Sequence, residues 1–413
     1  MNFGASKSVF VIACACTFII QVPMLLGKVD VQNACEAGAD QDEQSCLERS
    51  YLSDLPESGV IVDEKPSMKT TKTSKSSPID ADDAEKILDE WYFQSYTHLS
   101  VHELMLKDET RTLTYRDAIY NNRHLFEGKL VMDVGSGTGI LSMFAAKAGA
   151  RKVIGIDNSN IARYSKRIIE DNKLSDVITI VHAKVEDIDE LPDGIQQVDV
   201  IISEWMGHCL YFESMLNTVL YARDKWLKPG GVIMPDKALF FVTAMEDLQF
   251  KQESINYWDN VYGFNMTSVR PTAIVEPIID TVEPEKIVTD AFLLREVNIN
   301  HVKVEDLSFT APFELRVART DYIQAFVTFF MIEFSKTHRK DRFSTGPMEE
   351  YTHWRQTIFY VEEPIPVNAG ERITGQLTLR PMARNSRGLD VTISYEFHGA
   401  LADRVETNNY TLE

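Results

Sequence analysis

Two glutamates are the side chains best placed to do chemistry as a pair. Glu204 closes the apolar run VDVIISE, and Glu213 follows nine residues later, at the start of the helical pattern LYFESMLNTVLYARDKWL. An apolar strand ending in an acid, with a helix next, directs both carboxylates into the crevice beyond the carboxyl ends of a parallel sheet. Two converging carboxylates need a cation or a metal. A guanidinium fits, because its planar fork donates to two carboxylates at once. The plainer reading is one strand-end acid and one exposed helix acid, each paired with a nearby Arg or Lys.

A second constellation lies upstream. Asp133-Val134-Gly135-Ser136-Gly137-Thr138-Gly139 ends one apolar run and opens a helical one. Glycines let the backbone approach a ligand, and the helix start offers free N–H groups. Asp157 ends the next apolar run 22 residues after Gly135, where an acid accepts from ribose hydroxyls. The ligand is therefore adenosine-like; an ordinary strand–helix turn is the plain alternative. A dinucleotide site requires G-x-G-x-x-G with room for pyrophosphate. Here the third glycine comes one residue early, at Gly139, and Asp133 would repel phosphates. Asp133 suits an ammonium instead, as in the methionine moiety of S-adenosylmethionine. That favours a methyltransferase over a nicotinamide dehydrogenase.

The elements that must hold these residues alternate. KLVMDV, KVIGID, VITIVH and VDVIISE are apolar runs, each followed by polar or helical sequence. This is the pattern of an α/β fold with a doubly wound parallel sheet. After Pro235 the texture changes to DYIQAFVTFFMIEFS, HWRQTIFYV, ERITGQLTLRP and LDVTISYEFHG with short turns, the signature of an antiparallel β-domain. An aromatic segment at about 248–285, with Tyr257, Trp258, Tyr262 and Phe264, interrupts it.

Composition bounds the rest. The 413 residues allow two or three domains, and the net charge of −20 argues against nonspecific binding to nucleic acid or anionic lipid. Residues 1–85 carry −7 of that charge and the remainder −13. Four of the five cysteines, Cys14, Cys16, Cys35 and Cys46, lie in the first 46 residues. The body, with Cys209 alone, reads as a reducing-compartment protein. Residues 9–27 form an uncharged apolar leader that reads as a signal, an anchor or a dispensable extension. Residues 28–85 read as a disordered linker.

Several separated motifs carry a resemblance. ISEWMGHCLYFESML resembles the double-glutamate loop of the type I protein arginine N-methyltransferases, and YTHW at Tyr351 to Trp354 resembles their Thr-His-Trp loop. YFQSY from Tyr92 and HELMLKDETRT from His102 are similar to their N-terminal helices. The similarity runs from about Trp91 to near the C-terminus, in the branch of the predominant type I enzyme and its membrane-attached paralogue. It implies a seven-stranded-type methyltransferase sheet over 86–235. Over 236–413 it implies an antiparallel β-barrel with a helical dimerisation arm at 248–285.

The resemblance also implies roles. Phe93 would pack on the adenine of S-adenosylmethionine and His102 would contact that cofactor. Arg111 would pair with its carboxylate, Asp133, Gly135 and Gly137 would line it, Asp157 would take the ribose and Glu186 the adenine amino group. Glu204 and Glu213 would clamp the substrate arginine, with His353 paired to Asp108. Glu213, Glu204 and the His353–Asp108 pair are the candidates for taking the final proton. Met105 and Met215 would crowd the acceptor pocket and give the asymmetric product, with core packing as their plainer role. Tyr96 and Trp354 belong to the same substrate side. No metal is implied. The implied partners are arginine/glycine-rich proteins and histone tails as substrates and a second copy of the chain, with no direct nucleic-acid binding. The implied compartments are cytoplasm and nucleus, with membrane attachment through residues 9–27 as the alternative. The alternative function is a weakly active paralogue serving as a dimeric scaffold. The chain departs from its resembled relatives at Asp157, Asn158, His208 and Leu104, where they carry Glu, Cys, Tyr and Glu. None of these removes a charge the chemistry requires.

Overall fold

The computed structural model describes residues 81–413, with side chains from Glu85 onward. It opens with three helices, α1 (Ala81–Ser95), α2 (Leu99–Lys107) and α3 (Glu109–Tyr120). Asp108 separates α2 from α3 and caps α3, its side chain accepting from the Arg111 N–H at 2.9 Å. That bond satisfies one of the free N–H groups at the helix start.

A parallel sheet follows, built from β1 (Leu130–Val134), β2 (Lys152–Asp157), β3 (Ile178–His182), β4 (Val198–Ser203) and β5 (Leu227–Met234). Its order is β3-β2-β1-β4-β5, with α4 (Ile140–Lys147), α5 (Ile161–Asp171) and α6 (Met215–Trp226) as connections. Every residue of β1 is buried, as a strand covered on both faces requires. The order reverses between β1 and β4, so the crevice beyond their carboxyl ends is the expected ligand site. The doubly wound architecture agrees with the sequence reading, but the sheet has five strands, not seven. After Met234 the chain passes Pro235 and enters β6 (Lys237–Met245), which pairs in a different sheet.

The second half is antiparallel. β7 (Ile278–Asp280), β8 (Phe292–Asn298), β9 (Phe309–Arg316), β10 (Asp321–Phe334), β11 (Asp341–Ser344) and β12 (Gln356–Val367) follow β6. β13 (Arg372–Pro381), β14 (Leu389–His398) and β15 (Asp403–Leu412) complete it. One sheet runs β7-β12-β10-β6-β8, with β11 on β10, and the other runs β15-β14-β13-β9. Alternating burial along β14 turns one face of that sheet inward. Phe326 of β10 meets Tyr395 of β14, and Phe359 of β12 meets Tyr410 of β15, so the two sheets share a barrel-like core. The aromatic segment leaves this body after β6 as short helical turns and α7 (Arg270–Val275), then returns as β7 beside β12. Tyr262 is 93% exposed and Phe264 70% exposed near its tip.

Among the described residues no helix is long and apolar enough to cross a membrane. This corrects the expected membrane-anchored alternative, for which the described residues supply no spanning helix, and no described feature assigns the expected cytoplasm or nucleus. The leader at 9–27 lies outside the described residues, as does the linker up to residue 80.

Candidate active site

The glycine turn sits in the crevice between β1 and α4. Gly135, Gly137 and Gly139 all hold positive φ, a region that L side chains rarely adopt. Crowding adds to this at Gly135, where a Cβ would come within 2.2 Å of the Met215 Cε. A Cβ on Gly137 would lie 3.3 Å from the His102 ring, so the turn and both of those side chains share one space. Asp133 is fully buried. Burial pushes its carboxyl up to about 7, against the bond it accepts from the Ser142 hydroxyl at 2.6 Å. Asp157 accepts from the Gly137 and Ser159 N–H groups, each at 2.8 Å, and from the Ser159 hydroxyl at 2.7 Å. A carboxylate has about four acceptor positions. Asp157 is thus largely engaged by its own loop and the glycine turn, with capacity left for one further donor. Glu186 accepts from the Thr218 hydroxyl at 2.6 Å through one oxygen only.

Each glutamate of the pair is held from a different part of the N-terminal helical segment. Arg111 Nε of α3 donates to Glu204 Oε2 at 2.9 Å, and both side chains are over 90% buried. The same guanidinium donates to the Met105 carbonyl at 3.0 Å. Tyr96, just after α1, donates through its hydroxyl to Glu213 Oε2 at 2.6 Å. Burial pushes Glu213 up to about 7; the Tyr96 bond opposes this, as does Arg387, while the Glu204 charge adds to it.

Glu213 does not begin a helix. It lies two residues before α6 with φ at 75°, and Ser214, Cys209 and Leu210 in the same loop are also left-handed. Left-handed residues with side chains persist only where their surroundings over-determine them. Here the β13–β14 turn does so. The Glu213 N–H donates to the Arg387 carbonyl, the Arg387 guanidinium donates back to the Glu213 carbonyl, and the Ser214 hydroxyl donates to the Ser386 carbonyl at 2.5 Å.

His353 Nδ1 lies 2.7 Å from Asp108 Oδ2, which also accepts the His353 N–H at 2.8 Å. Burial works against the charge on Asp108, but the His353 bond leads a set that holds its carboxyl below the usual range. Trp354 is turned into the core. It stacks on Phe343 and donates to the Met206 carbonyl at 2.7 Å. His208 binds the Trp354 carbonyl at 3.1 Å, and burial lowers it to about 4, so it is neutral at pH 7. Phe93 packs edge-on against Tyr92 at 5.0 Å, half-buried.

The candidate residues thus fall into one connected region. Asp108, Arg111 and Glu204 form one chain of bonds, Tyr96 and Glu213 another, and Met215 and His102 flank the glycine turn. Trp354 stands apart as a packing residue. Arg387, Ser386, Asp89 and Lys184 carry no sequence signal: they come from a distant turn, an exposed helix and a loop, and fold alone brings them to the site.

Four buried oxygens in this region lack hydrogen-bond partners: Asp133 Oδ1, Ser136 Oγ, Glu186 Oε2 and Glu204 Oε1. Unpartnered buried acceptors are uncommon and call for a donor. An ammonium, an adenine amino group and a guanidinium are donors of the right kind.

Comparisons with known proteins agree with this chemistry. Residues 236–400 match the model of the arginine methyltransferase oligomerization subdomain, and residues 118–255 match that of the ribosomal protein L11 methyltransferase. Protein arginine N-methyltransferase 1 of Caenorhabditis elegans is 54% identical over 346 residues, 83% of this chain and 99% of that protein. Protein arginine N-methyltransferase 8-B of Danio rerio is 55% identical over 78% of this chain and 76% of its own length. Among solved structures, the Trypanosoma brucei PRMT1 enzyme–prozyme heterotetrameric complex with AdoHcy superimposes with a TM-score of 0.75 at 45% identity. It covers 78% of this chain and 100% of that one. A glycine turn backed by acids, two glutamates each tethered to the N-terminal helical segment, and identity above one half across most of the relatives' length lead to one assignment: the chain belongs to the protein arginine N-methyltransferase family.

Proposed function

We propose that the protein transfers methyl groups from S-adenosylmethionine to the guanidino nitrogens of arginine in proteins, as a type I enzyme giving mono- and asymmetric dimethylarginine. The observation that supports this most is the pair Glu204 and Glu213 beside the glycine turn, the first bonded by Arg111 and the second by Tyr96. A free guanidinium is cationic and its lone pairs are delocalised, so it is a poor nucleophile. Two carboxylates draw its positive charge toward one nitrogen and leave electron density on the other. They also hold that nitrogen in line with its target. S-adenosylmethionine, when bound, supplies the electrophilic methyl group. Asp133, Glu186, Asp157, His102 and Phe93 are the residues that would hold it, with Gly135 and Gly137 lining its path. Arg111 would share itself between the cofactor carboxylate and Glu204. Met105 and Met215 would restrict the acceptor pocket and set the asymmetric product. The proton leaves to Glu213, Glu204 or the His353–Asp108 pair.

The working division is a cofactor domain over 86–235 and a barrel over 236–413. The arm at about 248–285, with Tyr262 and Phe264 exposed, serves a homodimer. Arginine/glycine-rich proteins and histone tails are the substrates. The test is methylation of an arginine/glycine-rich peptide, with the product identified by mass spectrometry and chromatography. Asymmetric dimethylarginine supports the reading; symmetric product, or cofactor binding without transfer, overturns it.

A further inference from the structure

The helix α1 is weakly seated by apolar contacts. None of its side chains from Glu85 on is fully buried, and Trp91 and Ile87 are 63% and 43% exposed. Yet α1 carries Tyr92 and Phe93 and leads directly to Tyr96, the donor to Glu213. Something polar must hold it down.

One carboxylate on α1 has that position. Asp89 Oδ2 accepts from Lys184 Nζ at 2.7 Å, and Oδ1 accepts from Arg387 Nε at 2.9 Å, with a second guanidinium nitrogen at 2.8 Å. Lys184 lies two residues before Glu186, on the cofactor side. Arg387 lies in the β13–β14 turn of the barrel. The Arg387 guanidinium carbon stands 3.7 Å from the Tyr92 ring centroid and 5.3 Å from that of Phe93, a cation–π arrangement over both aromatics. Its remaining nitrogen, Nη1, donates to the Glu213 carbonyl at 2.7 Å. Lys184 and Arg387 bond different oxygens of Asp89, so one side chain joins three separate parts of the fold.

We infer that Asp89 is a positioning residue for the transfer: it fastens α1 to the cofactor half through Lys184 and to the barrel through Arg387, and through Arg387 it fixes the backbone of Glu213. The inference rests on the cofactor and arginine reading of the site. Losing the carboxylate charge frees α1 and removes the partner that orients Arg387. Cofactor binding then weakens, because α1 carries Phe93. The transfer step slows as well, because Glu213 is strained and its neighbour no longer holds it.

The test uses the full-length protein with Asp89→Asn, which keeps shape and loses charge. In the cofactor-free protein, amide hydrogen exchange speeds up in α1 and in the loop around Glu213 while the sheet strands keep their protection. In steady-state assays KM for S-adenosylmethionine rises about three- to tenfold, the effect of weakening two partly buried ion pairs together, and kcat falls at saturating cofactor. Asp89→Glu recovers most of both. Arg387→Gln combined with Asp89→Asn costs less than the two substitutions separately. Wild-type exchange in α1, or strict additivity of the two substitutions, overturns the inference. So does loss of protection throughout the sheet that Asp89→Glu does not relieve, which marks a purely structural role. Exchange needs no cofactor. A wild-type protein that fails to methylate therefore counts against the arginine-transfer reading alone, and the fastening of α1 by Asp89 is still judged on exchange.

Discussion

Glu213 combines burial with backbone strain, and both bear on its chemistry. Its carboxyl is pushed up to about 7 in the substrate-free protein. A protonated Glu213 cannot hold a guanidinium, so kcat/KM for an arginine peptide rises with pH through about 7, since that constant reports the free enzyme. A pH profile checks this, and one already flat from pH 6 upward contradicts it. The same shift acts on stability. The folded state keeps the Glu213 proton between the ordinary value of 4.5 and about 7, while the unfolded chain releases it. Stability therefore falls as pH rises through that window. Glu213→Gln should raise the melting temperature by a few degrees at pH 8 and leave it unchanged at pH 5. It should also lower kcat by about 10²–10³ while S-adenosylmethionine still binds, as titration calorimetry would read. The sequence marked Glu213 as a candidate through its spacing to Glu204, and the resemblance of the loop around it weighed for a pair over two separate acids. Its left-handed backbone was not legible, because the contacts that hold it come from the β13–β14 turn.

Among the elements, the strands of the sheet were legible because a strand buried on both faces is a continuous apolar run, as in β1 and β4. The count of five was not, because Pro235 and the strand after it carry no mark of which sheet they will join. The arm was legible as aromatic residues between strands, and the structure leaves Tyr262 and Phe264 in solvent. Large exposed aromatics on a projection suit the centre of an interface. Replacing both, Tyr262→Ser with Phe264→Ser, should raise the dimer dissociation constant by 10²-fold or more, with far-ultraviolet circular dichroism unchanged. Sedimentation velocity reads the outcome; a dimer that persists at sub-micromolar concentration removes the arm from the interface. His208 is a different case. It stands in the glutamate loop, where a titrating role looks natural, but burial lowers it to about 4 and it serves to tie that loop to the Trp354 carbonyl.

Across the whole molecule, the charge of −13 outside the first 85 residues sets up a negative field that would draw in the arginine-rich substrates proposed above. Raising ionic strength from about 0.05 to 0.3 M should increase KM for an arginine-rich peptide severalfold and change kcat little, since screening acts on encounter more than on the desolvated site. A KM indifferent to salt removes the long-range term and leaves the two glutamates as the sole attraction. The amino-acid sequence by itself determined the alternation of strands and helices, the glycine turn, the acids near the ends of β1 and β2, and the change to hairpins after Pro235. These are local: periodicity, glycine and strand-end polarity act within a few residues. Only the tertiary structure decided which residues meet. Arg111 and Glu204 are 93 residues apart, Tyr96 and Glu213 are 117 apart, and Asp89 and Arg387 are 298 apart. Such pairs exist because the N-terminal helical segment carries Asp89, Tyr96 and Arg111 to the glutamates and the barrel turn sets Arg387 against the glutamate loop. No local pattern encodes a partner that the chain reaches only after the sheet and the barrel have formed.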